Sequence, residues 1–106
     1  MNKLFISPAA QEDLIEIKRY ITEELGNPNS ANKVIMRITK RLRDLIDFPQ
    51  SGALLSLKIN LDVSYRYIVC DNYLAFYRVE KDEIYVDRVM YGRRDYMKVL
   101  FDDNIE

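Results

Sequence analysis

Two dipeptides, Asp71-Asn72 and Lys81-Asp82, cut residues 63–91 into the runs VSYRYIVC, YLAFYRVE and EIYVDRVMY. Each run is rich in β-branched and aromatic residues, and a two-residue link leaves no room for anything but an immediate reversal. The pattern predicts an antiparallel meander of three strands, ended by Gly92. Upstream of Gly52 the apolar spacing is helical. Ser7 followed by Pro8 is a helix-start signal: a hydroxyl that can cap orphan amides, then a residue that needs no amide partner. Ala10, Leu14, Ile17, Ile21 and Leu25 follow as one helical stripe, with Glu12 and Asp13 expected near its positive end and Gly26 as its stop. Asn27 and Pro28 restart a helix whose stripe is Ala31, Val34, Ile35, Ile38, Leu42, Leu45 and Ile46, closed by Pro49 and Gly52.

So short a link between two helices predicts an antiparallel hairpin. NKLFI (2–6) reads as a first strand, and Met97, Leu100 and Phe101 suggest a short terminal helix over 93–101. The sum is an α+β fold, a two-layer sandwich. An N-terminal strand comes first, an antiparallel helical hairpin packs on one face of a mainly antiparallel sheet, and a short C-terminal helix comes last, in a single domain over 1–106.

Strand alternation assigns faces. Val63, Tyr65, Tyr67 and Val69, with Tyr73, Ala75, Tyr77 and Val79, are expected under the helices. The opposite face then carries Arg66, Ile68, Leu74, Phe76 and Arg78. Ile68, Leu74 and Phe76 together are too apolar to face water, so the terminal helix or a partner chain is expected to cover them.

Composition narrows the chemistry. The chain has no histidine, one cysteine and a formal net charge of −1. Histidine triads, histidine metal sites and intramolecular disulfides are excluded, and there is no phosphate-binding glycine loop. No metal or cofactor is expected; Asp82, Glu83 and Asp87 read as solvated acids around a turn. MNKLFISPAA predicts no secretory signal and no apolar run is long enough to span a membrane, so the expected location is cytoplasmic. Lys33, Arg37, Lys40 and Arg41 form a positive face on the second helix, expected to face solvent.

RVMYGRRDY (88–96) concentrates three arginines and two tyrosines. Arg88 is expected to be paired on the sheet, with an acid near Asp87 or in the acidic tail. Arg93 and Arg94 are expected to contact a macromolecular partner, where arginine is enriched.

SPAAQEDLIEIKRYI, then DFPQSG, then YRYIVCDNYLAFYRVEKDEIYVDRVMYGRRDY, from Ser7 to about Phe101, resembles the RelE/ParE superfamily of bacterial toxins. The resemblance implies the toxin of a type II toxin–antitoxin pair: small, cytoplasmic, and neutralised by a cognate antitoxin in a hetero-oligomer. It leaves two modes of action. RelE-like members cut mRNA on the ribosome; ParE-like members inhibit DNA gyrase. A nuclease would need charge stabilisation from Arg94 and Arg66, and protons or stacking from Tyr91 and Tyr96. RelE-type cutters, however, carry a lysine and an arginine where this chain has Ile68 and Leu74, and many relatives read HGRR where it has Tyr91-Gly92-Arg93-Arg94. Together with the long hairpin and the near-neutral charge, these departures favour the ParE-like mode; a member that only binds its antitoxin is the remaining alternative. Arg93, Arg94, Arg66, Arg78, Ile68, Leu74 and Phe76 are the expected contacts to target or antitoxin.

Overall fold

The structure is a computed structural model and describes residues 2–54 and 65–92. Strand β1 (Lys3–Ile6) leads into helix α1 (Pro8–Arg19), which continues as a π turn (Tyr20–Glu24). Helix α2 (Pro28–Arg43) ends in a 3₁₀ turn (Asp44–Ile46), and strands β2 (Ala53–Leu54), β3 (Tyr65–Cys70), β4 (Tyr73–Glu80) and β5 (Glu83–Tyr91) complete the sheet. Both helix starts form as their sequences predict. The Ser7 hydroxyl accepts the Ala10 N–H at 3.0 Å, and the Asn27 side chain accepts the Ser30 N–H at 3.1 Å, each with proline opening the helix. Gly26 takes a left-handed φ of 63°, and the Asn27 N–H bonds back to the Ile21 carbonyl. The terminal helix expected over 93–101 lies outside the described residues, as do Arg93, Arg94 and Tyr96.

The sheet order is β1-β5-β4-β3-β2. The meander is antiparallel as expected, whereas β1 joins it parallel to β5, with Leu4 opposite Ile84 and Ile6 opposite Val86. The two-residue pairing of β2 with β3 was not expected from the sequence. Ala10, Ile17, Ile21, Ala31, Ile38, Leu42 and Leu45 of the helical layer bury against Ile68, Ala75, Tyr77, Ile84, Val86 and Val89 of the sheet.

Three expectations need correction. On β3, Ile68 is buried under the hairpin at 3% exposure, and Tyr65 and Tyr67 lie on the other face. The Asp71-Asn72 turn dictates this: it pairs Cys70 with Tyr73, hence Ile68 with Ala75 and Arg66 with Tyr77, and directly paired residues share a face. Leu25 leaves the buried stripe and is 61% exposed, because the wider π turn rotates the chain after Tyr20 out of α-helical phase. Asp13 lies beyond the first turn of α1 and binds Arg88 of β5.

The far face does hold a second small core. Phe76 and Met90 are buried there, with Tyr65, Tyr67 and Leu74 packed against them. Met90 reaches that face through a bulge: Phe76 pairs with Arg88 but Tyr77 with Val86, which leaves Asp87 as an extra residue and shifts the alternation of everything after it.

Tyr77 ties the sheet to the end of the helical layer. Its hydroxyl accepts the Gly52 N–H at 2.9 Å and donates to the Pro49 carbonyl at 2.8 Å. A Cβ at Gly52 would lie 2.6 Å from that hydroxyl and 2.7 Å from the Tyr67 carbonyl oxygen. Backbone and a fully buried ring cannot both give way, so Gly52→Ala should destabilise the fold by about 2 kcal/mol. Urea denaturation of the variant checks this; an unchanged midpoint would show that the loop relaxes freely.

Candidate functional site: a groove between the hairpin and the sheet edge

Because β1 stops opposite Val86, the outer edge of β5 beyond that point has no neighbouring strand among the described residues. Polar groups from α1 take over part of the edge. The Ser7 N–H donates to the Val86 carbonyl at 3.0 Å, the Ser7 hydroxyl donates to the Asp87 carbonyl at 2.9 Å, and the Asp13 carboxylate accepts the Val89 N–H at 2.9 Å. Beyond Val89 the hairpin and the sheet diverge, leaving an open groove of about 1040 Å³.

Its walls are apolar and aromatic: Ile17, Tyr20, Ile21 and Leu25 from α1 and the π turn, Val34 from α2, and Val89 and Tyr91 from β5. Tyr73 and Tyr91 meet edge-to-face with centroids 5.8 Å apart. Ion pairs stand at two places on the rim. The Arg88 guanidinium grips Asp13 through two hydrogen bonds of 2.8 and 2.9 Å, and that contact raises the Arg88 pKa further above its ordinary value. Arg37 of α2 donates to Asp71 of the β3–β4 turn at 2.9 Å. Such a groove, apolar along its length and charged at its rim, suits an apolar segment of another chain with polar flanks.

The residues singled out from the sequence do not gather in one place. Arg66 donates to the carbonyls of Gly52 at 2.7 Å and Gln50 at 3.2 Å, which makes it a brace for the loop after α2. Arg78 lies on the far face, bound to Asp87 at 3.2 Å and to Glu80, with its guanidinium 4.5 Å from the centre of the Tyr85 ring. Leu74 and Phe76 belong to the far-face cluster, Ile68 to the main core, and Tyr91 to the groove. Arg88 is paired, as expected, but with Asp13 of α1 in place of an acid near Asp87 or in the tail. Glu83 accepts from the Tyr85 hydroxyl and Asp87 from Arg78, so two of the three acids around the second turn are engaged by side chains.

Of the groove residues, Leu25 and Val34 were expected in the buried stripes, Arg37 on a solvent-facing positive stripe and Asp71 in a turn, and none of these, nor Tyr20, was expected at a binding site. A signal existed: Tyr20 and Leu25 are large apolar residues beside a helix stop, where a hairpin tip has little sheet left to cover it.

Burial is the main cause of raised pKa values at three thiol or phenol groups: Tyr65, where a hydrogen bond to Asp87 adds to it, Tyr73 and Cys70. An acid whose folded pKa is raised contributes stability that is complete below its unfolded pKa and is lost as pH climbs through the folded one. The melting temperature should therefore hold steady up to about pH 9 and fall above it. Tyr65→Phe should make that alkaline fall shallower, which melting curves from pH 7 upward would show.

The model of the ParE toxin family, described as the ParE toxin of the type II toxin–antitoxin system parDE, matches residues 4–96. The chain belongs to that family. Its fold agrees: a solved chain titled as a chromosomal ParDE TA system from P. aeruginosa superposes with a TM-score of 0.70, covering 86% of this chain and 96% of that one at 22% identity. No curated protein matches the sequence. The hairpin on a mainly antiparallel sheet is thus the fold of a ParE-family toxin, and the groove is a feature of this member's surface. No helix among the described residues is long and apolar enough to cross a membrane.

Proposed function

We propose that this ParE-family chain arrests growth by binding DNA gyrase in the cytoplasm, and that a cognate antitoxin silences it by laying an apolar segment in the groove. The observation that supports an inhibitor over a nuclease is the character of the far sheet face. Its centre is the buried pair Phe76 and Met90, and the two described arginines beside them are committed: Arg78 to Asp87 and Glu80, and Arg88, the cross-strand partner of Phe76, to Asp13. Cleaving RNA requires uncommitted cations around a phosphate. Arg78 is committed, Arg66 braces a loop, and Ile68 is under the helices. Arg93 and Arg94, two and three residues after the groove residue Tyr91 in the sequence, remain the proposed contacts to gyrase.

The deciding experiment expresses the full chain from a tightly regulated promoter beside the variant Arg93→Ala/Arg94→Ala and follows growth, mRNA integrity and the DNA-damage response. Arrest with intact mRNA and induced DNA damage, relieved in the variant, is the expected result. Rapid mRNA cleavage would replace this reading with a ribosome-dependent nuclease. Soluble protein without arrest would identify a member that binds its antitoxin only.

A further inference from the structure

Strand β5 loses its neighbour beyond Val86, and its backbone groups there can be assigned one by one. The Gly92 N–H donates to the Asn72 carbonyl at 2.7 Å, so these two residues form a hydrogen-bonded pair at the end of the β4–β5 ladder. Bonded and open pairs alternate along an antiparallel ladder. Leu74–Met90 and Phe76–Arg88 are therefore bonded pairs, and Val89 and Tyr91 turn their N–H and C=O groups outward, away from β4. The Val89 N–H agrees with that parity, since it donates outward to Asp13 at 2.9 Å.

Polar groups of α1 and its cap close the first part of this edge. Ser7 donates to the Val86 and Asp87 carbonyls, and Asp13 accepts the Val89 N–H. The closure stops there. The Val89 carbonyl and the Tyr91 N–H have no hydrogen-bond partner among the described residues, and they open on the groove. Val89 and Tyr91 turn their side chains to the hairpin, where Ile17, Tyr20 and Ile21 line the groove, whereas Met90 between them turns to the far face. Natural sheets blunt an unpaired edge. This one is blunted up to the groove and bare inside it.

We infer that the antitoxin segment seated in the groove is an extended strand, joined to the sheet at Val89–Tyr91 and apolar at alternate positions. The inference deepens the antitoxin reading proposed above and rests on it. A single residue of a strand running parallel to β5 satisfies both free groups: its N–H donates to the Val89 carbonyl and its carbonyl accepts the Tyr91 N–H. That is the direction in which β1 already runs, and the added strand continues its line beyond Val86. An antiparallel strand can satisfy the same two groups, and in either direction the bond from Val89 to Asp13 is kept. Side chains of the added strand alternate between its two faces. Those on the hairpin side pack on Ile17, Tyr20 and Ile21, and those on the other side lie next to Met90. A helix suits the site less well. Its backbone groups are spent on its own hydrogen bonds, so it would cover the Val89 carbonyl and the Tyr91 N–H and leave both dry and unpaired.

The test uses the full chain and its cognate antitoxin, the protein that restores growth when co-expressed with it. Tyr91→Pro removes the N–H, Tyr91→Ala keeps it, and both lose the ring. Proline is tolerated at this position because the Tyr91 N–H points away from β4 and makes no ladder bond. Titration calorimetry should show Tyr91→Pro binding the antitoxin about tenfold more weakly than Tyr91→Ala. In the complex of the unaltered chain, nuclear magnetic resonance should show contacts between the Tyr91 amide proton and backbone protons of the antitoxin. A helix seated on side chains cannot give them, and the measurement stands even if Tyr91→Pro fails to fold. Absence of those contacts overturns strand addition, as does equal binding by the two folded variants. If Leu25→Glu still weakens binding in that case, the groove holds the antitoxin in another form and only this inference falls. If Leu25→Glu binds as the parent does, the groove reading falls and strand addition with it.

Discussion

Leu25→Glu should lower affinity for the cognate antitoxin by about 100-fold while leaving the fold intact. Leu25 sits at the mouth of the groove, largely exposed, with Tyr20, Ile21 and Val34 among the apolar residues lining the same space. An apolar segment entering there buries the leucine completely. A carboxylate in its place would be stripped of water against an apolar wall, which carries a penalty well beyond the lost contact. In the free chain the same carboxylate points into solvent, so the melting temperature should move little, as for most exposed positions. Phe48→Glu is the matched comparison: Phe48 is equally exposed but does not line the groove. Titration calorimetry with the antitoxin should separate the two variants. Equal affinities would remove the groove as the antitoxin's seat.

Asp13→Ala should destabilise the free chain by about 3 kcal/mol. One carboxylate holds three hydrogen bonds: two from the Arg88 guanidinium and one from the Val89 N–H. Its removal strands a partly buried cation and an edge amide at once, and no other described side chain is bonded to either group. For a domain of this size the loss corresponds to a fall of roughly 12–24 °C in melting temperature. Arg88→Met on the same background should recover part of it by removing the stranded charge, leaving only the unpaired amide. A melting temperature within 3 °C or so of the parent would show that solvent replaces Asp13 without penalty.

Asp13 also marks how far the sequence can be read. Its position in α1, its side of the helix and its charge are all legible, and so is the positive charge of Arg88. That the two meet is not, since they lie 75 residues apart and nothing in either neighbourhood names the other. The error on β3 was of a different kind. The Asp71-Asn72 turn already contained the information that pairs Ile68 with Ala75, and alternation counted along each strand separately overlooked it.

What the sequence determined by itself is local. Ser7-Pro8 and Asn27-Pro28 cap and open the helices, the apolar spacing sets their buried sides, and two dipeptide turns impose the meander and its register. Each depends on hydrogen bonds or side-chain spacing within a few residues, so a short window is enough to specify it. Tertiary structure alone decided that β1 runs parallel to β5 and stops at Val86, and that a bulge at Asp87 shifts the strand's alternation. It also decided that the hairpin parts from the sheet where the groove opens. These features arise from surfaces contributed by distant segments, and many local sequences are compatible with them. The groove exists because β1 ends before β5 does, a mismatch in length between strands nearly 80 residues apart.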